Sequence, residues 1–185
     1  GLINDRGGHA APQGDEKMNS SVTVPAVYVG TYHQYNGGSI FGKWFDLTDF
    51  DDEDEFYDAC RALHAAEDDP EFMFQDWEGI PSQFASESSV KWAFIEAFRQ
   101  AQDEGRAAAF VAWAEYTGEC DYDAFDDAYC GEAESEEDFA YGFVEDHGLL
   151  NEVPEFLRVY FDYEAYARDL FSSGYVFHEG YVFSN

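Results

Sequence analysis

The stretch VPAVYVGTYHQYNGGSIFGKWFDLTDFDDEDEFYDACRALHAA (Val24–Ala66) decides the fold class. Val24 to Tyr32 is rich in β-branched and aromatic residues and predicts a strand. Asn36-Gly37-Gly38 predicts a turn, because Asn and Gly tolerate positive φ. Ser39 to Leu47 then returns as the second strand of a hairpin. Thr48 or Asp49 can cap a helix running to about Ala66, with Phe56, Cys60 and Leu63 on one face. Its first turn is almost all acid, which the helix dipole favours. Beyond the break at Pro70, Glu71 to Trp77 predicts a third strand. Together these elements make a small α+β unit.

Pro81 opens a helical region. Ser88 to Gln102 (SSVKWAFIEAFRQAQ) places Trp92, Ile95 and Phe98 on an apolar stripe, and RAAAFVAWAEYTG (Arg106–Gly118) is an Ala-rich helix ended by its glycine. Two further helices are predicted, Tyr122–Tyr129 closed by Gly131 and Glu136–His147 closed by Gly148. Ser135-x-x-Asp138 is a capping-box pattern, and that helix packs through Phe139, Phe143 and Val144. Pro154 starts another helix. Asp162 caps a final one, with Tyr163, Tyr166, Ala167 and Leu170 inward and Glu164–Arg168 as an i,i+4 pair. Tyr175 to Phe183 reads as strand or hairpin. The expected organisation is α+β and elongated. A disordered, Gly-rich leader spans 1–23, with Met18 as the natural start, followed by an N-terminal α+β domain 24–80, a central helical domain 81–120 and a C-terminal α+β domain 121–185.

The 185 residues carry 40 Asp plus Glu against 9 Lys plus Arg, hence 9 − 40 = −31. A 19% aromatic content argues against a disordered acidic tail. The same balance excludes nucleic acid and anionic membrane as partners, since both need clustered Lys and Arg. No apolar run is long enough to span a bilayer. Cys60, Cys120 and Cys130 form an odd set without zinc spacing, which suits free thiols in a reducing cytoplasm. Between Arg106 and Arg158, 51 residues hold 15 carboxylates and no Lys or Arg. Aromatic residues interleave with them, as in DYDAFDDAY (Asp121–Tyr129), so the acids belong to the outer faces of packed elements.

Chemical motifs fail in turn. The five histidines offer no metal pair at helical spacing. Asp121 to Glu132 has acids at calcium-loop positions 1, 3 and 12, but Phe125 and Asp126 stand where a ligand and the obligatory glycine belong. No carboxylate pair stands out for hydrolytic chemistry. The expectation is therefore a binding protein without cofactor, metal or catalysis; a carboxylate-based hydrolase and a generic acidic scaffold or calcium binder are the alternatives. Duplex DNA carries one charge per roughly 1.7 Å, so thirty net charges match about 50 Å of duplex. A compact chain of this length has a diameter near 40 Å, roughly. The charge thus equals that of DNA of comparable length.

Three strings add what composition cannot: VYVGTYHQYNGGSIFGKWFDL (Val27–Leu47), EFMFQDWEGIP (Glu71–Pro81) and LLNEVPEFLRVYFDYEAYARDLF (Leu149–Phe171). In this order they resemble ArdA-type antirestriction proteins, the last resembling the family's antirestriction motif. The resemblance implies an elongated three-domain chain that dimerises into a curved rod and mimics DNA in the binding groove of type I restriction–modification enzymes. It also implies carriage on plasmids, transposons or phages. Motif residues are Tyr160, Phe161, Asp162, Tyr163, Glu164, Tyr166, Arg168 and Asp169. Two readings of them stay open, a packing role and a partner-facing one. The runs without basic neighbours are the better phosphate surrogates: Asp51, Asp52, Glu53, Asp54 and Glu55; Glu67, Asp68 and Asp69; Asp121, Asp123, Asp126 and Asp127; Glu132, Glu134, Glu136, Glu137 and Asp138. Two bodies of like charge must meet where charge is lowest, which points to Ala107–Ala114 or Tyr175–Phe183 as the homodimer face, and to the C-terminal stretch first, since joining ends lengthens the rod and leaves the acidic faces free.

Overall fold

A computed structural model describes residues 22–185; the expected disordered leader lies outside them up to residue 21. The α+β class holds. Strand β1 (Ala26–Thr31) is central in an antiparallel sheet, flanked by β2 (Lys43–Asp46) and β3 (Phe72–Glu78). Val27 and Val29 point into the core at 0% exposure, while Tyr28 faces outward and meets its cross-strand partner Trp44 edge-on at 5.8 Å.

The hairpin is not direct. A five-residue helix α1 (Tyr32–Asn36) follows β1, because Thr31 Oγ1 accepts the Gln34 N–H at 3.1 Å and caps it. The return strand therefore begins at Lys43, and Ile40 and Phe41 stay exposed. Helix α2 (Glu53–Leu63) also starts later than Thr48 or Asp49. Phe50 turns inward against Phe45 and Phe56, holding the chain extended until Asp52 Oδ1 caps the Glu55 N–H at 2.8 Å. Glu55 reciprocates by accepting the Asp51 N–H at 2.9 Å. The helix stops short of Ala66 because His64 is drawn into the core, its Nε2 lying 3.2 Å from the Val29 carbonyl.

Helix α3 (Trp92–Asp103) starts after a serine turn, Ser86–Ser89, and α4 (Ala107–Thr117) ends at Gly118, whose left-handed φ of 74° suits glycine. Helix α5 (Tyr122–Ala128) is not closed by Gly131, which lies in strand β4 (Tyr129–Glu132) beside a register shift. Helices α6 (Glu136–Asp146), α7 (Glu155–Arg158) and α8 (Tyr163–Ser173) follow. The hairpin β5 (Tyr175–His178) and β6 (Tyr181–Ser184) completes a second antiparallel sheet in the order β4-β6-β5. Glu164 and Arg168 form no ion pair within the 4.0 Å criterion; both stay exposed.

One aromatic row links these elements. Phe84 stacks on Phe94 at 5.1 Å, Phe94 on Phe110 at 5.6 Å, Phe110 meets Phe125 at 5.5 Å, and Phe125 reaches Phe183 at 6.5 Å. Arg106 caps the row, with its guanidinium over Tyr122, Phe125 and Tyr129 and 2.7 Å bonds to Glu104 and Asp126. Tyr122 OH donates to Glu104 as well. That bond, and then the Arg106 guanidinium, hold the Glu104 carboxyl below its usual range. A depressed folded-state value means that Glu104 supports folding above its unfolded value of roughly 4.3 and ceases to as pH falls through the folded value. Urea denaturation of Glu104→Gln against the parent chain should accordingly show the variant less stable at pH 6, with the gap closing below about pH 4.

Candidate protein-binding surface

Sixteen of the seventeen candidate phosphate surrogates are exposed; Glu67 alone is half-buried. Glu67 serves the fold instead, accepting the Thr31 hydroxyl at 2.8 Å and standing 3.9 Å from His64 Nδ1. Six others also have internal duties. Asp52 and Asp121 cap α2 and α5, and Glu55 holds the Asp51 N–H. Asp126 pairs with Arg106, Asp51 lies 3.8 Å from Arg99, and Asp138 accepts the Glu134 N–H at 3.4 Å. Seven of seventeen thus have a partner, leaving ten whose carboxylates bond to no other described residue: Glu53, Asp54, Asp68, Asp69, Asp123, Asp127, Glu132, Glu134, Glu136 and Glu137.

The cations are few, and three of them, Arg99, Arg106 and Arg158, are half-buried against the fold. Arg99 donates to the Phe50 carbonyl at 2.8 Å, and Arg158 to the carbonyls of Val153 at 2.9 Å and Asn151 at 3.2 Å. They tie loops down rather than neutralise the acid runs. Asp121 to Ala128 is a helix capped by its own first acid, so this stretch has no calcium-loop geometry. The cysteines are free, as expected, and burial pushes the Cys60 thiol up to about 12, which makes it inert.

The motif divides by burial. Phe161 packs on Tyr163 at 4.8 Å and on Tyr166 at 5.7 Å, and Asp162 caps α8 through the Ala165 N–H at 3.0 Å. Glu164, Arg168 and Asp169 are exposed. Tyr160 points outward at 79% exposure, beside Phe156 at 74% and Val159 at 77%. Sequence reasoning missed this apolar patch. Its signal is an apolar run, Phe156 to Tyr160, around a helix of only four residues, too short to bury what it carries. Of the two expected dimer faces, Ala107–Ala114 is spent on the core, since Ala109, Phe110, Ala112, Trp113 and Ala114 are all buried there.

The division between capping and free acids is measurable by chemical denaturation. Asp52→Ala should lose roughly 1 kcal/mol, as N-cap removals do, whereas Asp52→Asn keeps a capping oxygen and loses little. Asp54→Ala, one turn-surface position away, should leave stability unchanged within about 0.5 kcal/mol.

Comparison with known proteins bears on the same residues. No curated protein matches the chain. The family model described as "Antirestriction protein (ArdA)" matches residues 27–183. That span runs from β1 into β6 and takes in both sheets, the aromatic row and every candidate acid, so the chain belongs to the ArdA family of antirestriction proteins.

Proposed function

We propose that this protein acts by binding alone, as a mimic of duplex DNA that occupies the DNA-binding groove of type I restriction–modification enzymes in the cytoplasm. The observation that carries this reading is the set of ten exposed carboxylates without internal partners, around a core that engages Arg99, Arg106 and Arg158. A basic groove built for phosphates offers such acids what the chain withholds from them. Three successive units, 24–80, 81–120 and 121–185, would present the acid runs along one elongated body.

Surrogate phosphates must displace the counterions that DNA displaces, so binding should weaken steeply with salt and compete with DNA. The test is titration of a purified type I enzyme with this protein, with and without specific duplex. A ternary complex at undiminished affinity would discard mimicry. Each exposed pair is worth on the order of 1 kcal/mol or less, so Asp52→Asn alone should barely matter. The combination Asp51→Asn, Asp52→Asn, Asp54→Asn and Glu55→Gln keeps the capping oxygens and should weaken inhibition about tenfold or more.

We infer further that the chain is a homodimer, joined through Phe156, Val159 and Tyr160 rather than through the buried Ala-rich helix. Like-charged bodies meet where acids are sparse and apolar surface is exposed. Salt should then strengthen the dimer while weakening attachment to the basic target. In sedimentation across a salt series, Val159→Asp with Tyr160→Asp should give a folded monomer; a parent chain that stays monomeric at micromolar concentration in high salt removes this claim.

A further inference from the structure

Glu115 near the end of α4 and His178-Glu179 at the tip of the β5–β6 hairpin are separated by over sixty residues in sequence, yet a ring nitrogen of His178 and one oxygen from each carboxylate all lie within 4.8 Å of one another. They are not a closed ion-pair cluster: no pair within the 4.0 Å criterion joins His178 to either acid. The His178 Nε2 is sealed from solvent and has no hydrogen-bond partner, which is unusual for a buried ring nitrogen. Tyr116 holds the ring from one side, with centroids 5.6 Å apart. An open groove of about 540 Å³, lined by Ala108, Val111, Glu115, Glu179 and Tyr181, gives access to both acids.

The hairpin tip breaks a local rule at the same place. Glu179 and Gly180 have φ of 51° and 87°, the two-residue turn that favours Asn or Asp before Gly. A glutamate there keeps a long carboxylate beside His178 where a shorter residue would suit the backbone better.

We propose that Glu115, His178 and Glu179 form a three-ligand site for a divalent transition-metal cation, with Zn²⁺ the ion that best suits one imidazole and two carboxylates. Four-coordinate zinc holds its ligands about 3.4 Å apart, from bonds of about 2.0–2.2 Å. Both glutamates are exposed, so their side chains can close the present spacing by rotation while the backbone stays in place. The fourth position faces solvent. The bound ion would tie α4 to the C-terminal hairpin, a role independent of any partner enzyme.

The test uses the full chain stripped by chelator and titrated with Zn²⁺ near neutral pH at physiological salt. One equivalent should bind tightly above a diffuse, salt-sensitive background from the acid surface. His178→Ala and Glu179→Asn should each weaken the tight phase at least tenfold; the latter removes the carboxylate with a residue the turn prefers, so folding is protected. Asp54→Asn should leave the tight phase unchanged. Co²⁺ should give the intense visible bands of a four-coordinate site, absent in His178→Ala. If the parent chain shows only diffuse binding, or His178→Ala keeps the tight phase with circular dichroism unchanged, there is no site here.

Discussion

Burial of aromatic rings against a single sign of charge is the constraint on which this chain depends. Every carboxylate repels the others, and few cations are present to offset them. At 10 Å separation two exposed charges repel by about 0.4 kcal/mol in water, and salt screens most of that beyond about 8–10 Å. A fully buried phenylalanine contributes about 1.5–3 kcal/mol. Phe56, Phe74, Phe94, Phe98, Phe110 and Phe125 are all fully buried, and their burial opposes the repulsion while the acids stay dispersed on the outside. A carboxylate drawn inward would lose on both counts. Glu67 comes partly in and meets the Thr31 hydroxyl, while Glu104 stays at the surface beside Arg106 and Tyr122.

Arg106 and Arg158 show the same economy. A cation among so many acids could be neutralised anywhere on the surface, where an exposed pair contributes little. Arg106 instead lies over three rings while bonding two acids and a phenol, a site where charge, stacking and hydrogen bonds act together. Arg158 ties down the loop before α7 through the carbonyls of Val153 and Asn151. Arg99, Arg106 and Arg158 thus serve the architecture, and ten of the outer acids are left without a basic partner.

Much of this was legible in the sequence, and the failures have physical causes. Periodicity located the buried face of α3, and capping chemistry placed Ser135 and Asp162 at the starts of α6 and α8, whereas the Ala-rich α4, one of the two expected dimer faces, is buried. The start of α2 was misplaced because Thr48, Asp49 and Asp52 are all good caps, and only the inward turn of Phe50, a tertiary contact, selects the last. Gly131 looks like a helix stop but lies in a strand, since its partner Val182 is fifty residues away in the chain and invisible to local pattern. The acid surface was readable as composition, yet which acids are free was not. Asp52 and Asp54 differ by two positions; one caps and one does not. The neighbourhood of Glu115 and His178 is likewise a product of the fold, with no spacing in the sequence to announce it.

Three of the four acid runs coincide with helix starts, and this joins the fold to the surface. Glu53, Asp54 and Glu55 open α2, Asp123 opens α5, Glu136, Glu137 and Asp138 open α6, and Glu155 and Glu164 open α7 and α8. Each helix start carries about half a positive charge and unpaired N–H groups, which favour nearby carboxylates by roughly 0.3–1 kcal/mol. One long helix offers a single such end; many short ones offer many. The chain is cut into short helices, none of those with acid starts longer than eleven residues, and so gains repeated places where negative charge helps the local fold. Acids so placed are favoured by the helix ends without being neutralised by a side chain. Retained charge at repeated helix starts is what the proposed mimicry requires of a surface, and it follows from cutting an acidic chain into short capped helices around an aromatic core.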